Sequence, residues 1–179
     1  MKLLSIQAGR PREVIAGRET VLTSIFKTPL SGPVRVFREN IEGDEQSDLT
    51  VHGGVDKAVY FYASEHYPKW RSELPDLEFP YGAFGENFTV EGLLEDEVAI
   101  GDRLEIGTAL FEVSRPRMPC YKLGVRFGRL DMVKRFHQSG RHGFYARVIR
   151  EGDVQAGDAI NWERTTGDRL TIAESVANR

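Results

Sequence analysis

A chain of 179 residues, 40% hydrophobic and 28% charged, is long enough for one domain with a substantial core. Its net charge of −3 argues against a general nucleic-acid binder, which carries a basic excess. One cysteine allows no internal disulfide, the first residues lack the apolar run of a signal peptide, and no stretch reaches membrane-span length. A soluble, cytoplasmic protein with no nucleic-acid and no membrane partner is therefore expected.

Residues 2–8 read as a strand that Gly9-Arg10-Pro11 ends. Val21 to Lys27 is a second apolar run, broken by Pro29 and Ser31-Gly32-Pro33 before Val34–Phe37 alternates again. Short β-branched runs cut by Gly and Pro predict an all-β barrel or sandwich. Lys27 closes its strand beside a turn, where a lysine ordinarily faces solvent. Residues 41–48 are acidic and polar, the composition of a loop.

Next comes His52-Gly53-Gly54, followed by Asp56 and Lys57. Paired glycines allow positive φ and let a ligand approach the backbone amides, although a tight turn with a surface histidine has the same signature. Ser64–Arg71 predicts a short helix with Tyr67, Trp70 and Leu74 on its core face. In Gly85-Glu86-Asn87 the glycine lets the polar pair leave a strand at an unusual angle. The Asn87 amide both donates and accepts, which suits a heterocycle as well as it suits a turn.

Ile100-Gly101-Asp102 is a turn, Arg103–Ile106 alternates with period two, and Leu110–Val113 leads into a proline-rich segment. Residues 128–140 predict a helix with Leu130, Val133, Phe136 and His137 on one face. Strands follow at 143–149 and 159–162, and 170–179 has the pattern of a helix start.

The segment Ser114-Arg115-Pro116-Arg117-Met118-Pro119-Cys120 holds the only thiol. Its prolines predict that an arriving strand stops here and presents Cys120 from a stiff loop. From Ser114 to Arg135 there are seven Lys/Arg and one acid; the rest of the chain has 17 basic and 26 acidic residues. A local basic segment on an acidic body suggests a small anionic ligand. Neighbouring cations favour the thiolate, the form that attacks or binds metal, whereas an inert buried cysteine is the plainer alternative. The usual nucleotide-loop, hydrolase-elbow and zinc-helix motifs are absent. Cys120 with His52 could pair as a hydrolase or peroxidase; the arginines and Lys27 point instead to a phosphorylated ligand beside a soft thiolate.

In this order, residues 48–60 with His-Gly-Gly-x-Asp-Lys-Ala-Val, Gly85-Glu86-Asn87, Ile100-Gly101-Asp102, Ser114-x-Pro-Arg-x-Pro-Cys120 and residues 143–158 resemble a MOSC domain (named for the C-terminal domain of molybdenum cofactor sulfurase) of the stand-alone bacterial YiiM type. The resemblance implies a mainly β fold, a twisted β-barrel with a few peripheral helices over residues 1–165. Residues 166–179 would be a tail at the start of a small helical domain. It implies the molybdenum cofactor, molybdopterin with Mo, which recombinant protein can be made without. Pyridoxal phosphate is not expected. Cys120 would be the catalytic thiolate and metal ligand, and Lys27, Arg115 and Arg117 would bind the pterin's phosphate. His52, Gly53 and Gly54 would line the pocket, with Asn87 contacting the pterin or shaping the site. Relatives reduce N-hydroxylated compounds (hydroxylaminopurines, amidoximes, hydroxamates) with electrons from a partner redox protein. Competing readings are a cofactor carrier or sulfur-transfer protein that uses Cys120 as a persulfide, and a non-catalytic binder of a small anion.

Overall fold

The computed structural model describes residues 1–46 and 53–178. Twelve strands occur among them: β1 Lys2–Ala8, β2 Arg12–Ala16, β3 Glu19–Thr23, β4 Thr28–Pro29, β5 Val34–Val36, β6 Val59–Ala63, β7 Phe88–Glu91, β8 Arg103–Ile106, β9 Ala109–Pro116, β10 Phe144–Arg150, β11 Gly152–Val154 and β12 Ile160–Glu163. Four helices accompany them: α1 His66–Glu73, α2 Tyr121–Phe127, α3 Met132–Gln138 and α4 Ile172–Ala177.

Eight strands form one sheet in the order β12-β8-β9-β10-β6-β7-β1-β4, with β11-β5 and β2-β3 as separate two-stranded pairs. Pairing within the large sheet is antiparallel except for β6 against β7. The expected barrel is corrected here: the sheet is large but not closed. β1 reaches the residues before β12 through one bridge, Lys2 to Ala159, and hydrogen bonds such as Gly157 N–H to Leu3 O at 2.7 Å. The strand pairing continues from β1 to β4, so no full ladder seals the seam.

Strand β6 explains how the site is walled. Side chains alternate across a strand. Val59 and Phe61 therefore enter one core with Phe88, Phe111 and Phe144, while Tyr60 and Tyr62 enter a second. The second core is aromatic and lies under the helices. It gathers Tyr67 and Trp70 of α1, Phe79 and Phe84 of the following loop, Leu123 and Phe127 of α2, and Met132 and Phe136 of α3. All five residues of β6 are consequently buried. The predicted core face of α1 is thus correct, with Leu74 also buried.

Other local readings are revised. β3 ends at Thr23, and residues 24–27 form an irregular connection instead of continuing the strand. β9 runs through Pro116, since a proline at a strand end loses no necessary ladder donor. The helix expected over 128–140 is only α3, and α2 precedes it; Gly128, with φ 64°, ends α2. Leu130 lies between the helices and is 99% exposed, whereas Met132 takes its place in the core. At the end of the chain, Thr171 and Glu174 form a reciprocal cap on α4, and Ile172 joins the larger core.

Candidate functional site

Cys120 is the residue before α2 and is partly exposed. It lines a cleft of about 100 Å³ between the end of β9, the 24–27 connection and the 44–46 loop. Lys27, Asn87 and Arg117 line the same cleft, together with Ser24, Asp44, Glu45, Lys57, Tyr60, Lys122 and Tyr145. Among the described residues, four cations and two carboxylates line this space, a basic excess around a thiol.

Arg117 is the most telling of these groups. It is 5% exposed and makes no ion pair among the described residues. Nη2 donates to Phe84 O at 3.4 Å, but Nη1 is buried with no hydrogen-bond partner among the described residues. The guanidinium lies over the rings of Phe136 (4.9 Å) and Tyr60 (5.5 Å), which relieves part of the cost of burying its charge. Burial works against that charge, yet Tyr60, Tyr145 and Cys120 outweigh it, and the pKa is raised above its ordinary value. Ser24 Oγ, another lining group, is also buried without a partner.

Lys27 is not the solvent-facing lysine its turn suggested; its side chain is 8% exposed and paired with Asp44. Burial lowers its pKa, opposed chiefly by the Asp44 carboxylate and then by Glu86. Asp44 was missed because residues 41–48 read as a polar loop. It is buried and accepts from Gly9 N (2.7 Å), Lys27 Nζ and Asn87 Nδ2 (2.9 Å). Asn87 also accepts from Tyr60 N at 3.1 Å. Its amide is thus committed to the framework, and it shapes the cleft wall.

Two glycines bring the 24–27 connection close to the sheet. A Cβ on Gly9 would lie 2.8 Å from Phe26 O, and one on Gly85 would lie 2.9 Å from Ile25 Cγ1. Beneath it, Glu86 is fully buried and accepts from Gly82 N, Phe84 N, Thr89 Oγ1 and Tyr67 OH. A Gly-Glu-Asn run signals this arrangement, because only the glycine tolerates its φ of 82° beside Ile25.

The other expected residues that the structure describes do not line the cleft. Arg115 is part-exposed and reaches Asp56 at 3.5 Å; it is not among the residues lining the cleft. Asp56 in turn holds Arg147 at 2.6 Å. Gly53 and Gly54 precede a 3-10 turn at Val55–Lys57, and Gly54 has φ 90°; neither lines the cleft, although Lys57 does. His52 lies outside the described residues. Among the described residues, no helix is long and apolar enough to cross a membrane.

Residues 48–161 match the MOSC domain family. The chain is 43% identical over 177 residues to YflK of Bacillus subtilis, covering 99% of this chain and 79% of that protein. It is 39% identical over 163 residues to a protein named Reductase from Gibberella moniliformis, covering 89% of this chain but 28% of that much longer protein. The crystal structure of YiiM from Geobacillus stearothermophilus superposes with a TM-score of 0.80 at 36% identity, covering 98% of this chain and 81% of that one.

Proposed function

This chain belongs to the MOSC domain family, and we propose that it binds the molybdenum cofactor in the Cys120 cleft and reduces N-hydroxylated compounds. The observation that carries the reading is Arg117: a buried guanidinium with a vacant donor, in the same cleft as the only thiol. A buried, unpaired charge is costly, so a site that retains one is suited to an anionic ligand. The donor set fits the cofactor's two distinctive parts. Arg117 and Lys27 would hold its phosphate, with Ser24 Oγ as a further polar contact. Cys120 offers the soft sulfur that molybdenum favours.

When bound, the cofactor would supply two-electron reduction of the N–OH group. The chain's own residues bind and orient. Asp44 keeps Lys27 in place, and Asn87 keeps Asp44 in place. Tyr60 and Tyr145 form an aromatic wall whose rings are 5.3 Å apart. Burial raises the pKa of both hydroxyls, so they remain neutral donors at physiological pH. Electrons would come from a separate redox protein, and the reductase-named relative supports that class of activity.

The test is to purify wild type and Cys120→Ser from a host that makes the cofactor. Molybdenum, pterin and reduction of benzamidoxime by a chemical electron donor are then measured. The reading expects near-stoichiometric metal and turnover in wild type, with turnover abolished and metal coordination altered in the variant. Full turnover by cofactor-loaded Cys120→Ser would remove the thiolate role. Bound cofactor with a labile sulfur and no turnover in wild type would favour the carrier.

A further inference from the structure

Beyond the inner cations, a second pair of arginines packs on Phe26, in the 24–27 connection that borders the cleft. The Arg12 guanidinium carbon is 3.8 Å from the centre of the Phe26 ring, and that of Arg126 is 5.2 Å from the same ring. Phe26 stands between Ile25 and Lys27, both of which line the cleft. Two like charges thus share one aromatic platform on the segment that borders the cleft. Neither makes an ion pair among the described residues, and Arg126 Nε is buried with no hydrogen-bond partner. Burial and the proximity of Arg12 both lower the pKa of Arg126, opposed by Glu86 and Tyr67. An anion bridging the two guanidiniums would relieve that repulsion and satisfy the vacant donor. The arrangement differs from the protein's surface arginines such as Arg129, Arg135 and Arg150, each already held by a carboxylate.

The topology sets the spacing. Cys120 and Arg126 bound the same helix, α2, on which six residues span about 9 Å. Helical side chains lean toward the N-terminus, which here is the thiol end. Cys120 and Arg126 are therefore separated by about 9 Å along the helix axis, a span that a small substrate carrying an anionic group can bridge.

We propose that Arg12 and Arg126, flanking Phe26, form a subsite for a carboxylate or phosphoryl group on the substrate. The site thereby favours anionic N-hydroxylated compounds over neutral ones. This deepens the reductase reading and rests on it for the identity of the substrate, whereas anion binding at the rim stands on its own geometry. Arginine pairs suit such groups because their planar forks match carboxylate and phosphate oxygens.

The experiment uses cofactor-loaded protein and two probes, benzamidoxime and 4-carboxybenzamidoxime. Binding is measured by calorimetry without electron donor, and turnover separately with a chemical donor. In wild type the carboxylated probe should bind at least about tenfold more tightly, the gain expected of one charged hydrogen-bonded contact. Arg12→Gln and Arg126→Gln should each reduce that ratio, the double variant should bring it near one, and Arg126→Lys should retain part of it. Equal binding of the two probes to wild type would overturn the subsite. So would a preference that survives the double variant, or one lost only on changing Lys27 or Arg117, since the anion would then occupy the inner cleft. A preference that follows the rim arginines with no reduction of either probe would uphold the subsite and defeat the reductase reading.

Discussion

Replacing Asp44 by Asn tests the framework of the site most directly. Three donors, Gly9 N–H, the Lys27 ammonium and Asn87 Nδ2–H, converge on its two oxygens. An amide turns one oxygen into a donor, so whichever way it is oriented at least one of the three faces another donor. The larger loss is electrostatic: the Lys27 and Asp44 side chains are 8% and 2% exposed, and the ammonium would lose its only carboxylate partner at contact distance among the described residues. Breaking a buried pair by removing one partner costs about 3–5 kcal/mol. For a chain of this size that lowers the melting temperature by roughly 6–20 °C. Chemical denaturation of wild type, Asp44→Asn, Lys27→Met and the Lys27→Met/Asp44→Asn double variant would measure it. The double variant should be much less destabilised than the two charge deletions predict separately, because no charge remains unpaired. A loss below about 1 kcal/mol for Asp44→Asn, or additive effects in the cycle, would refute this account of the buried pair.

Two further predictions concern the surrounding structure. Glu95 accepts from His66 Nε2 at 2.8 Å and Gly143 N at 2.6 Å. Burial pushes its pKa up, but the His66 and Gly143 bonds outweigh this and hold it below 4.5. The group therefore contributes stability above its unfolded pKa, and that contribution is lost as pH falls through the folded value. Urea midpoints should show wild type exceeding Glu95→Gln at neutral pH and converging with it in acid; a constant difference would contradict the linkage. Gly9→Ala would drive a methyl against the backbone oxygens of Phe26 and Ser24, at 2.8 and 2.9 Å. Overpacking of this kind costs about 1–3 kcal/mol. Because the same segment carries Lys27, inorganic phosphate should also bind more weakly by calorimetry, and unchanged affinity would dissociate Gly9 from the site.

Most strands were legible because period-two runs and Gly/Pro breaks are local signals. Residues 2–8, 103–106 and 159–162 show them clearly. The convergence of Lys27, Asn87, Arg117 and Cys120 was legible only through family motifs, since strand pairing brings together positions almost a hundred residues apart. Three features were hidden for physical reasons. Lys27 reads as a surface lysine because its partner, Asp44, lies in a segment whose composition is that of a loop. Arg115 and Arg117 look equivalent by spacing. The first, however, is still in β9 and meets Asp56, and the second is beyond the strand end and turns into the aromatic core. α2 was missed because prolines at 116 and 119 suggested a continuing loop, yet proline immediately before a helix costs no helical hydrogen bond.

The two cores give the cleft its chemistry. Tyr60 and Tyr62 face away from the larger core only because β6 is buried on both sides, and the aromatic layer thus formed is where Arg117 enters. A guanidinium in such surroundings is weakly solvated and rigidly held. It loses little by exchanging water for a ligand anion, since most of its hydration was already removed on folding. A ligand that bound the folded chain alone would therefore raise its stability by mass action, and under the proposed reading the increment would come from a donor left without a partner among the described residues. The same argument explains why the thiol and the cation belong together. Cys120 begins a helix whose Leu123 and Phe127 pack into the aromatic layer around Arg117, so sulfur and guanidinium are fixed by one set of side chains.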